Sequence, residues 1–233
     1  MTAERELLTW HRSARRDLPW RRTRDPWAVL VSEVMLQQTQ VARVEERWVA
    51  WMERWPTPGA VAAAPREQVI RAWQGLGYNR RAVALHRAAA AIARDGWPDD
   101  LTDLPGVGRY TADAVARFAL GEPVVPVDVN VARVLERTGA EFGPSAAEAL
   151  MDLGATVCIA RVPRCGDCPL ERRCPSSGRT FAPLRRQSRF EGSFRQRRAQ
   201  TLKALMDGRA DPHAGEPEVR ASLERDGLLE ATR

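Results

Sequence analysis

The chain has 233 residues, of which 44% are hydrophobic and 28% are charged, a balance typical of a folded globular protein. Its 36 basic and 30 acidic residues give a formal net charge of +6, which indicates a polyanionic partner only weakly. No uncharged apolar run approaches the ~18 residues of a membrane span, and residues 1–10 lack the apolar segment of a signal peptide, so we expect a cytoplasmic protein.

Apolar residues at helical spacing predict a series of short helices. In chain order, these predicted helices cover residues 4–14, 28–38, 41–55, 67–73, 80–94, 110–120, a segment that begins near 130, and 146–157. The one apolar run that could form a strand, residues 124–127, is interrupted by Pro126. The sequence therefore predicts an all-α fold.

The composition changes after Cys174. Residues 176–178 and Pro183 are typical of a linker, and residues 185–198 hold six arginines against one acidic residue. We expect residues 177–233 to form an arginine-rich linker followed by a small C-terminal unit of two short helices, winged-helix-like in outline.

The cysteines of the chain all lie within 17 residues, in the spacing C-x6-C-x2-C-x5-C. They are Cys158, Cys165, Cys168 and Cys174. Four thiolates in one tight loop suit a tetrahedral metal ion or an iron–sulfur cluster. Structural zinc usually pairs two C-x2-C hairpins and only one is present here, so the spacing favours a [4Fe–4S] cluster over zinc. Four unconnected buried cysteines are the remaining alternative.

Residues 104–112 have the pattern of a turn followed by a helix. Within them, two glycines surround one apolar residue, so backbone N–H groups can approach a phosphate at the start of the helix. The residues concerned are Gly106, Val107, Gly108 and Arg109. In a basic, helical chain this pattern favours a helix-hairpin-helix that holds a DNA backbone, although a plain helix turn would look the same.

This hairpin, Asp128 and the four-cysteine loop together resemble the helix-hairpin-helix DNA glycosylases that carry an iron–sulfur loop. Within that superfamily, residues 33–39 (EVMLQQT) and 75–78 (GLGY) are similar to the adenine glycosylases of the MutY family. The resemblance implies two lobes with a DNA-binding cleft between them. These lobes are a six-helix domain over residues 21–123 and an iron–sulfur domain over residues 1–20 plus 124–176.

The resemblance also implies the site residues. Glu33 matches the acid that protonates N7 of the target adenine, and Asp128 matches the carboxylate that stabilises or transiently captures the sugar cation at C1′. Tyr110 and Asn130 match two supporting groups. The residues that match the adenine pocket are Arg16, Arg21 and Glu148, with Trp20 as a brace beside them. The residues that match the duplex wedge or the contact with the opposite base are Gln38, Thr39 and Tyr78.

The chemistry of the reaction also requires two carboxylates, independently of the family resemblance. Breaking an N-glycosidic bond needs an acid for the leaving base and an anion near the developing oxocarbenium ion. The acid needs apolar surroundings, which the sequence offers beside Glu33 in Val31, Val34, Met35 and Leu36. Each carboxylate alone has a plainer interpretation, Glu33 as a solvated helix residue and Asp128 as a helix N-cap.

Lys203 is the one lysine, and the other 35 of the 36 cationic residues are arginine. A glycosylase that also cleaves the strand as a β-lyase needs an amine to form a Schiff base. Related bifunctional enzymes carry lysine at the position of Tyr110. We therefore expect a monofunctional glycosylase that leaves an abasic site. The resemblance implies that it flips adenine paired with 8-oxoguanine or guanine out of the duplex and removes it.

Two departures from the family bear on substrate choice. The chain is too short for the C-terminal domain with which that family recognises 8-oxoguanine, and the family's Asp-Gly-Asn is Asp128-Val129-Asn130 here. The alternatives are a thymine or uracil mismatch glycosylase of the same superfamily and a non-catalytic iron–sulfur DNA-binding protein. The expected partner is double-stranded DNA with a mismatch or an oxidised guanine, bound by a monomer at the bacterial nucleoid.

Overall fold

The computed structural model describes residues 2–182 and 188–230, and all regular secondary structure within these ranges is helical. The α-helices are α1 (Ala3–Ala14), α2 (Pro26–Leu36), α3 (Val41–Arg54), α4 (Pro58–Ala63), α5 (Arg66–Trp73), α6 (Arg80–Asp95), α7 (Arg109–Val115), α8 (Val129–Thr138), α9 (Ala147–Thr156), α10 (Phe194–Met206) and α11 (Pro217–Arg225). The all-α prediction is confirmed. None of these described helices has the apolar length that a bilayer crossing requires.

The chain forms two compact units. Unit 1 comprises Met1–Val29 and Gly108–Arg186, and unit 2 comprises Leu30–Val107 and Gln187–Arg233. The two lobes inferred from the sequence, residues 21–123 and residues 1–20 plus 124–176, have other limits and stay a prediction.

The core of unit 1 lies between α1, α8 and α9. Leu7 of α1, Val131 and Val134 of α8, and Leu150 and Leu153 of α9 are completely buried, each at 0% exposure. Burying one such side chain contributes about 2 kcal/mol. This core therefore holds α8 and α9 side by side, together with the loops that carry several of the predicted site residues.

Helix α2 is apolar on nearly every side, and residues 27–35 are all buried. A helix with this pattern belongs in the interior of a protein. The sequence predicts that it runs to Gln38, but it ends at Leu36. Gln38 has φ +55°, a left-handed conformation that cannot continue a right-handed helix.

Helix α4 differs from the prediction, because Pro56, Pro58 and Gly59 together indicate a break. In the structure Thr57 Oγ1 accepts a hydrogen bond from the Ala60 N–H at 3.2 Å, which caps the helix. Pro58 occupies the first turn, where a missing N–H costs nothing. Proline in this position begins a helix rather than breaking one.

The C-terminal segment packs onto α5 and α6 within unit 2. One buried apolar cluster joins them, formed by Ile70 of α5, Val83 of α6, and Leu202, Met206, Leu223 and Leu228. Arg71 also donates a hydrogen bond to the Met206 carbonyl. Residues 188–230 contain the two expected helices and no strand. Residues 183–187 of the expected linker, with two of its arginines, lie outside the described residues.

Candidate active site

Glu33 lies on α2 with only 6% of its surface exposed. Its apolar neighbours Val31, Val34 and Met35 are each 3% exposed or less, and Leu36 is half-buried. These are the residues that the sequence predicts as the apolar surroundings of this carboxyl group. The surroundings keep bulk water away from it, as a general acid requires.

Asp128 caps helix α8. Its Oδ1 accepts hydrogen bonds from the backbone N–H groups of Asn130 at 2.9 Å and Val131 at 2.7 Å, and its Oδ2 accepts one from the Asn130 side-chain amide at 2.8 Å. The N-cap interpretation of Asp128 therefore describes its local role. An ionised carboxylate has about four lone-pair sites, so the cap leaves acceptor capacity for a ligand. The adjoining Val129 is 77% exposed.

Arg133 of α8, which the sequence analysis did not single out, ties Asn130 to the cysteine loop. Its Nη2 donates to Asn130 Oδ1 and to the Gly154 carbonyl, both at 2.8 Å, and its Nε donates to the Cys158 carbonyl at 2.8 Å. A Cβ on Gly154 would lie 2.9 Å from the Asn130 carbonyl oxygen, so α8 and α9 approach as closely as a glycine permits. Asn130 is held by both contacts.

Asp152 on α9 is a carboxylate with no exposed surface. It binds two of the arginines that are predicted to line the adenine pocket. Arg21 donates to Oδ1 at 3.0 Å and to Oδ2 at 2.8 Å, while Arg16 Nε donates to Oδ1 at 2.5 Å. His11 Nε2 lies 2.9 Å from Oδ2. Burial alone raises the pKa of Asp152, but the hydrogen bonds and charges of Arg21 and Arg16 outweigh burial and lower it to about 2.

Asp152 is not among the site residues predicted from the sequence, although the sequence contains a hint of it. An acidic residue stands between Leu150 and Leu153, on the apolar side of a predicted helix. Acidic residues are almost never fully buried without a partner. That pattern predicts a buried cationic partner, but it does not say which of the many arginines supplies the charge.

Glu148 lies one turn before Asp152 on α9 and shares one arginine, Arg21, with it. Its Oε2 accepts a hydrogen bond from Arg15 Nε at 3.0 Å and lies 3.8 Å from Arg21 Nε. The Glu148 side chain is 29% exposed, so a ligand can reach it. Trp20 is 7% exposed and precedes Arg21 in one 3-10 turn. The residues predicted for the pocket therefore all lie in unit 1.

The first part of the predicted hairpin is a tight turn within unit 2. The Val107 N–H donates to the Leu104 carbonyl at 3.1 Å. Gly106 has φ +81°, and a Cβ on it would lie 2.7 Å from the Ala84 Cβ. The turn therefore requires glycine at position 106 both for its backbone conformation and for its close approach to α6.

The second part of the hairpin is the start of α7 in unit 1. Gly108 is the N-cap residue, and the following Arg109 is an exposed side chain that pairs with Asp113 at 3.0 Å. Tyr110 is half-buried in the first turn of the helix. The residues predicted to hold a DNA backbone at this helix start, Gly108 and Arg109, are exposed.

The residues predicted as the duplex wedge lie in two neighbouring segments of unit 2, 36–40 and 75–79. Thr39 Oγ1 donates a hydrogen bond to the Leu76 carbonyl at 3.1 Å, so the segments are in contact. Gln38 is exposed, and Tyr78 is 46% exposed. The guanidinium of Arg81, on α6, lies between the segments. Burial lowers its pKa to about 10, so Arg81 stays charged at neutral pH.

The cysteines are all free thiols and line one cavity in unit 1. The Gly178 N–H donates to Cys165 Sγ at 3.3 Å, and Arg137 Nη1 lies 3.6 Å from Cys158 Sγ. Burial raises the pKa of the Cys168 thiol to about 11. Across residues 2–182 and 188–230, no three His, Cys, Asp or Glu side chains converge on a point where they could hold a single metal ion.

Comparison with known proteins identifies relatives over most of the chain. Residues 31–154 match the family described as "HhH-GPD superfamily base excision DNA repair protein". An adenine DNA glycosylase of Mycolicibacterium smegmatis is 46% identical over 94% of this chain and 83% of its own length. An adenine DNA glycosylase of Homo sapiens is 40% identical over 72% of this chain and 38% of its own length.

Solved structures share the fold. A thermostable thymine-DNA glycosylase aligns with a TM-score of 0.67 and 27% identity, over 73% of this chain and 93% of that chain. Endonuclease III, in a trapped covalent intermediate with DNA, aligns with a TM-score of 0.64 and 26% identity, over 73% of this chain and 92% of that chain.

Proposed function

Because the chain belongs to the HhH-GPD superfamily of base excision DNA repair proteins, we propose that it is a DNA glycosylase that removes adenine from double-stranded DNA. The names of its bacterial and human relatives support this substrate. The observation that carries the proposal is the presence of Glu33, buried on an apolar helix, in a chain that also has Asp128. An acid that protonates N7 helps the release of a purine. A pyrimidine has no N7 atom, so its release does not need such an acid.

In the proposed reaction, protonated Glu33 donates its proton to N7 of an adenine turned out of the duplex. The N9–C1′ bond then breaks, and its electrons leave with the base while positive charge develops on the deoxyribose. The Asp128 carboxylate stabilises this charge or bonds transiently to C1′. A water molecule then adds to C1′ and returns its proton to Glu33, which leaves free adenine and an abasic site.

Two further residues support the Asp128 carboxylate in this scheme. The Asn130 amide, which donates to Asp128 Oδ2 at 2.8 Å, orients the carboxylate. Tyr110, on the first turn of α7, is proposed as the second supporting group. Neither residue transfers a proton in the scheme.

The adenine pocket is proposed at the arginine group around Asp152. Glu148 offers a partly exposed carboxylate that can accept hydrogen bonds from the exocyclic amine of adenine. Arg16 and Arg21 are held by Asp152 and are therefore rigid, as an oriented pocket requires. Trp20 is proposed as an apolar wall of the same pocket.

Contact with the duplex is proposed at the hairpin and the wedge. Backbone N–H groups of Gly106, Gly108 and Arg109 would meet phosphates, while the Val107 N–H closes the turn. The side chains of Gln38, Thr39 and Tyr78 would enter the base stack or contact the opposite base. Binding that depends on phosphates falls steeply as salt rises, which gives a simple check on the hairpin contact.

The cysteine loop is proposed to hold a [4Fe–4S] cluster on Cys158, Cys165, Cys168 and Cys174. Four sulfur donors around one cavity, with an N–H group and a guanidinium near two of them, suit such a group. When bound, the cluster supplies iron–sulfur bonds that cross-link the loop. About four irons and four sulfides per chain would support the cluster, whereas one zinc per chain and no sulfide would contradict it.

The natural lesion is proposed to be adenine opposite 8-oxoguanine or guanine, acted on by a monomer in the bacterial cytoplasm. The test is to measure release of free base from duplexes that pair adenine, thymine, uracil or hypoxanthine with guanine or 8-oxoguanine. We expect free adenine, and we expect Glu33→Gln to lose it. Release of thymine or uracil alone would favour the pyrimidine mismatch glycosylase. A folded protein that binds every duplex and releases no base would favour the non-catalytic alternative.

A further inference from the structure

Arg81 of α6 bridges the two neighbouring segments of unit 2, 36–40 and 75–79, which the hydrogen bond from Thr39 to the Leu76 carbonyl also joins. Its guanidinium donates to seven acceptors at 2.6–3.4 Å: the carbonyl oxygens of Val34, Met35, Gln37, Leu76, Gly77 and Tyr78, and Thr39 Oγ1. The first three carbonyls belong to the end of α2 and the residues after it. The other three belong to the segment 75–79, so the guanidinium bridges both segments.

Each segment contains a strained residue. Gln38 has φ +55° and Tyr78 has φ +46°, and they are the non-glycine residues with positive φ among those that the structure describes. Such conformations persist only where the surroundings fix them. Both side chains are exposed, so apolar burial of these side chains does not fix them. Arg81 donates hydrogen bonds to the Gln37 carbonyl beside Gln38, and to the carbonyls of Gly77 and of Tyr78 itself.

The chemistry of the contact requires arginine. The last carbonyls of an α-helix lack partners within the helix and carry partial negative charge, which favours a cation at that end. Arg81 meets this need at α2, the helix that carries Glu33. A guanidinium presents five N–H donors in a planar fork, whereas a lysine ammonium presents three from one point. A lysine ammonium therefore cannot satisfy all of these acceptors at once.

We propose that Arg81 is a positioning residue that locks segments 36–40 and 75–79 into one preformed wedge for turning a base out of the duplex. This rests on the proposed function, because the wedge is meaningful only for a protein that extrudes a base. Arg81 lies beneath the exposed residues and is occupied by backbone acceptors. Its contribution is therefore to extrusion of the base, and not to general affinity for phosphates.

The experiment compares Arg81→Lys and Arg81→Met with Arg94→Lys, an exposed arginine on the same helix that pairs only with its neighbour Asp95. Extrusion is followed with a duplex in which fluorescent 2-aminopurine replaces the adenine. Base release is followed in a single turnover. Affinity for an undamaged duplex is measured across a salt series.

For both Arg81 variants we expect a smaller fluorescence rise and at least about a tenfold slower single-turnover rate, the scale expected for a misplaced group. Affinity for undamaged DNA and its salt slope should match the wild type, as should every property of Arg94→Lys. An Arg81→Lys protein with wild-type extrusion would overturn the proposal. So would a loss confined to undamaged-DNA affinity, with a lower salt slope.

Hydrogen exchange of the backbone amides tests the role of Arg81 without relying on catalysis. Because it reports on each segment, it also distinguishes a local effect from global unfolding. We expect Arg81→Lys to exchange faster at segments 36–40 and 75–79 while α3 and α5 keep their protection. Equal loss of protection throughout unit 2 would mean a general structural role and would contradict positioning. If the wild type released no base from any duplex, the proposed function would fail, while the extrusion and exchange results would still test Arg81.

Discussion

Arg21 and Asp152 form a two-pronged ion pair, Nη1 to Oδ2 at 2.8 Å and Nη2 to Oδ1 at 3.0 Å, within the core of unit 1. Asp152 has no exposed surface, and the Arg21 side chain is only 9% exposed. Parallel N–H···O bonds of this kind fix both the direction and the rotation of the guanidinium. The position of Arg21 is therefore set by a residue that the sequence analysis did not consider.

Replacing Asp152 with asparagine should destabilise unit 1 by about 3 kcal/mol, because it leaves buried cations without their counter-charge. Base release should slow as well, since Arg16 and Arg21 lose their common anchor. Urea unfolding followed by tryptophan fluorescence measures the first effect. The matched control is Asp17→Asn, which breaks the exposed ion pair with Arg22 and should change little. Equal losses in both variants would contradict the anchoring role.

The stability difference between wild type and Asp152→Asn should depend on pH in one direction. The folded state holds the pKa of Asp152 at about 2, below its ordinary value of 3.8, so its contribution is complete above pH ~4 and disappears as pH falls towards 2. The shift corresponds to about 2 kcal/mol. The free energies of unfolding of the two proteins, measured at a series of pH values, should converge over this interval. If the two proteins converged at higher pH, between 7 and 5, the pH dependence of the stability difference would come from a titratable group other than Asp152.

Substitutions of Asp128 should separate its capping role from the role of its charge. Asparagine is as good an N-cap as aspartate, so Asp128→Asn should keep stability within about 0.5 kcal/mol and yet lose nearly all base release. Asp128→Ala should lose the cap as well, at a cost of about 1 kcal/mol. Thr57→Ala, which removes the cap of α4, is the control for a cap without chemistry. Substantial base release by the folded asparagine variant would refute the charge role.

Gly154→Ala should displace Asn130. The new Cβ would lie 2.9–3.0 Å from the backbone O and C of Asn130, and these atoms cannot rotate away. We expect a loss of about 1–3 kcal/mol and slower base release, since Asn130 orients the Asp128 carboxylate. Gly59→Ala in α4 meets nothing nearer than 4.0 Å and should be neutral. A fully active, fully stable Gly154→Ala protein would show that α8 and α9 can separate without consequence.

The protein should not form a Schiff base with DNA. Lys203, on α10, is the one lysine, and the family resemblance predicts that Tyr110 occupies the position of the lysine nucleophile of bifunctional enzymes. Borohydride in the presence of a mismatch duplex should therefore trap no covalent adduct, and strand cleavage should require added alkali. A trapped adduct that disappears with Lys203→Arg would overturn this prediction.

The sequence reveals features set by neighbouring residues and conceals those set by distant ones. The cysteine spacing, the Asp128 cap and the helical pattern each lie within a few residues of one another, so they are visible in one dimension. Asp152 meets Arg16 and Arg21 across 131–136 residues, and Arg81 meets the end of α2 across 44–47. In a chain with 36 basic residues, composition does not indicate which of them are buried.

Helix limits show the same division. The periodicity of α2 predicts its interior well, but its end depends on Gln38, which turns left-handed beside acceptors of Arg81. Helix α4 lies between prolines that indicate a break, and only the Thr57 hydrogen bond shows that the chain starts a helix there. In both places the helix limit coincides with side-chain hydrogen bonds that the local apolar pattern does not predict.

The apolar cluster under α10 and α11 sets a limit on how the protein can be shortened for laboratory use. A version truncated after the last cysteine would leave Ile70 and Val83 facing water, along with the carbonyl-binding side of Arg71. A bare hydrophobic stripe of that kind invites self-association during expression. Workers who trim the arginine-rich tail to simplify crystallisation should therefore retain both terminal helices, or replace the two uncovered aliphatic residues with polar ones.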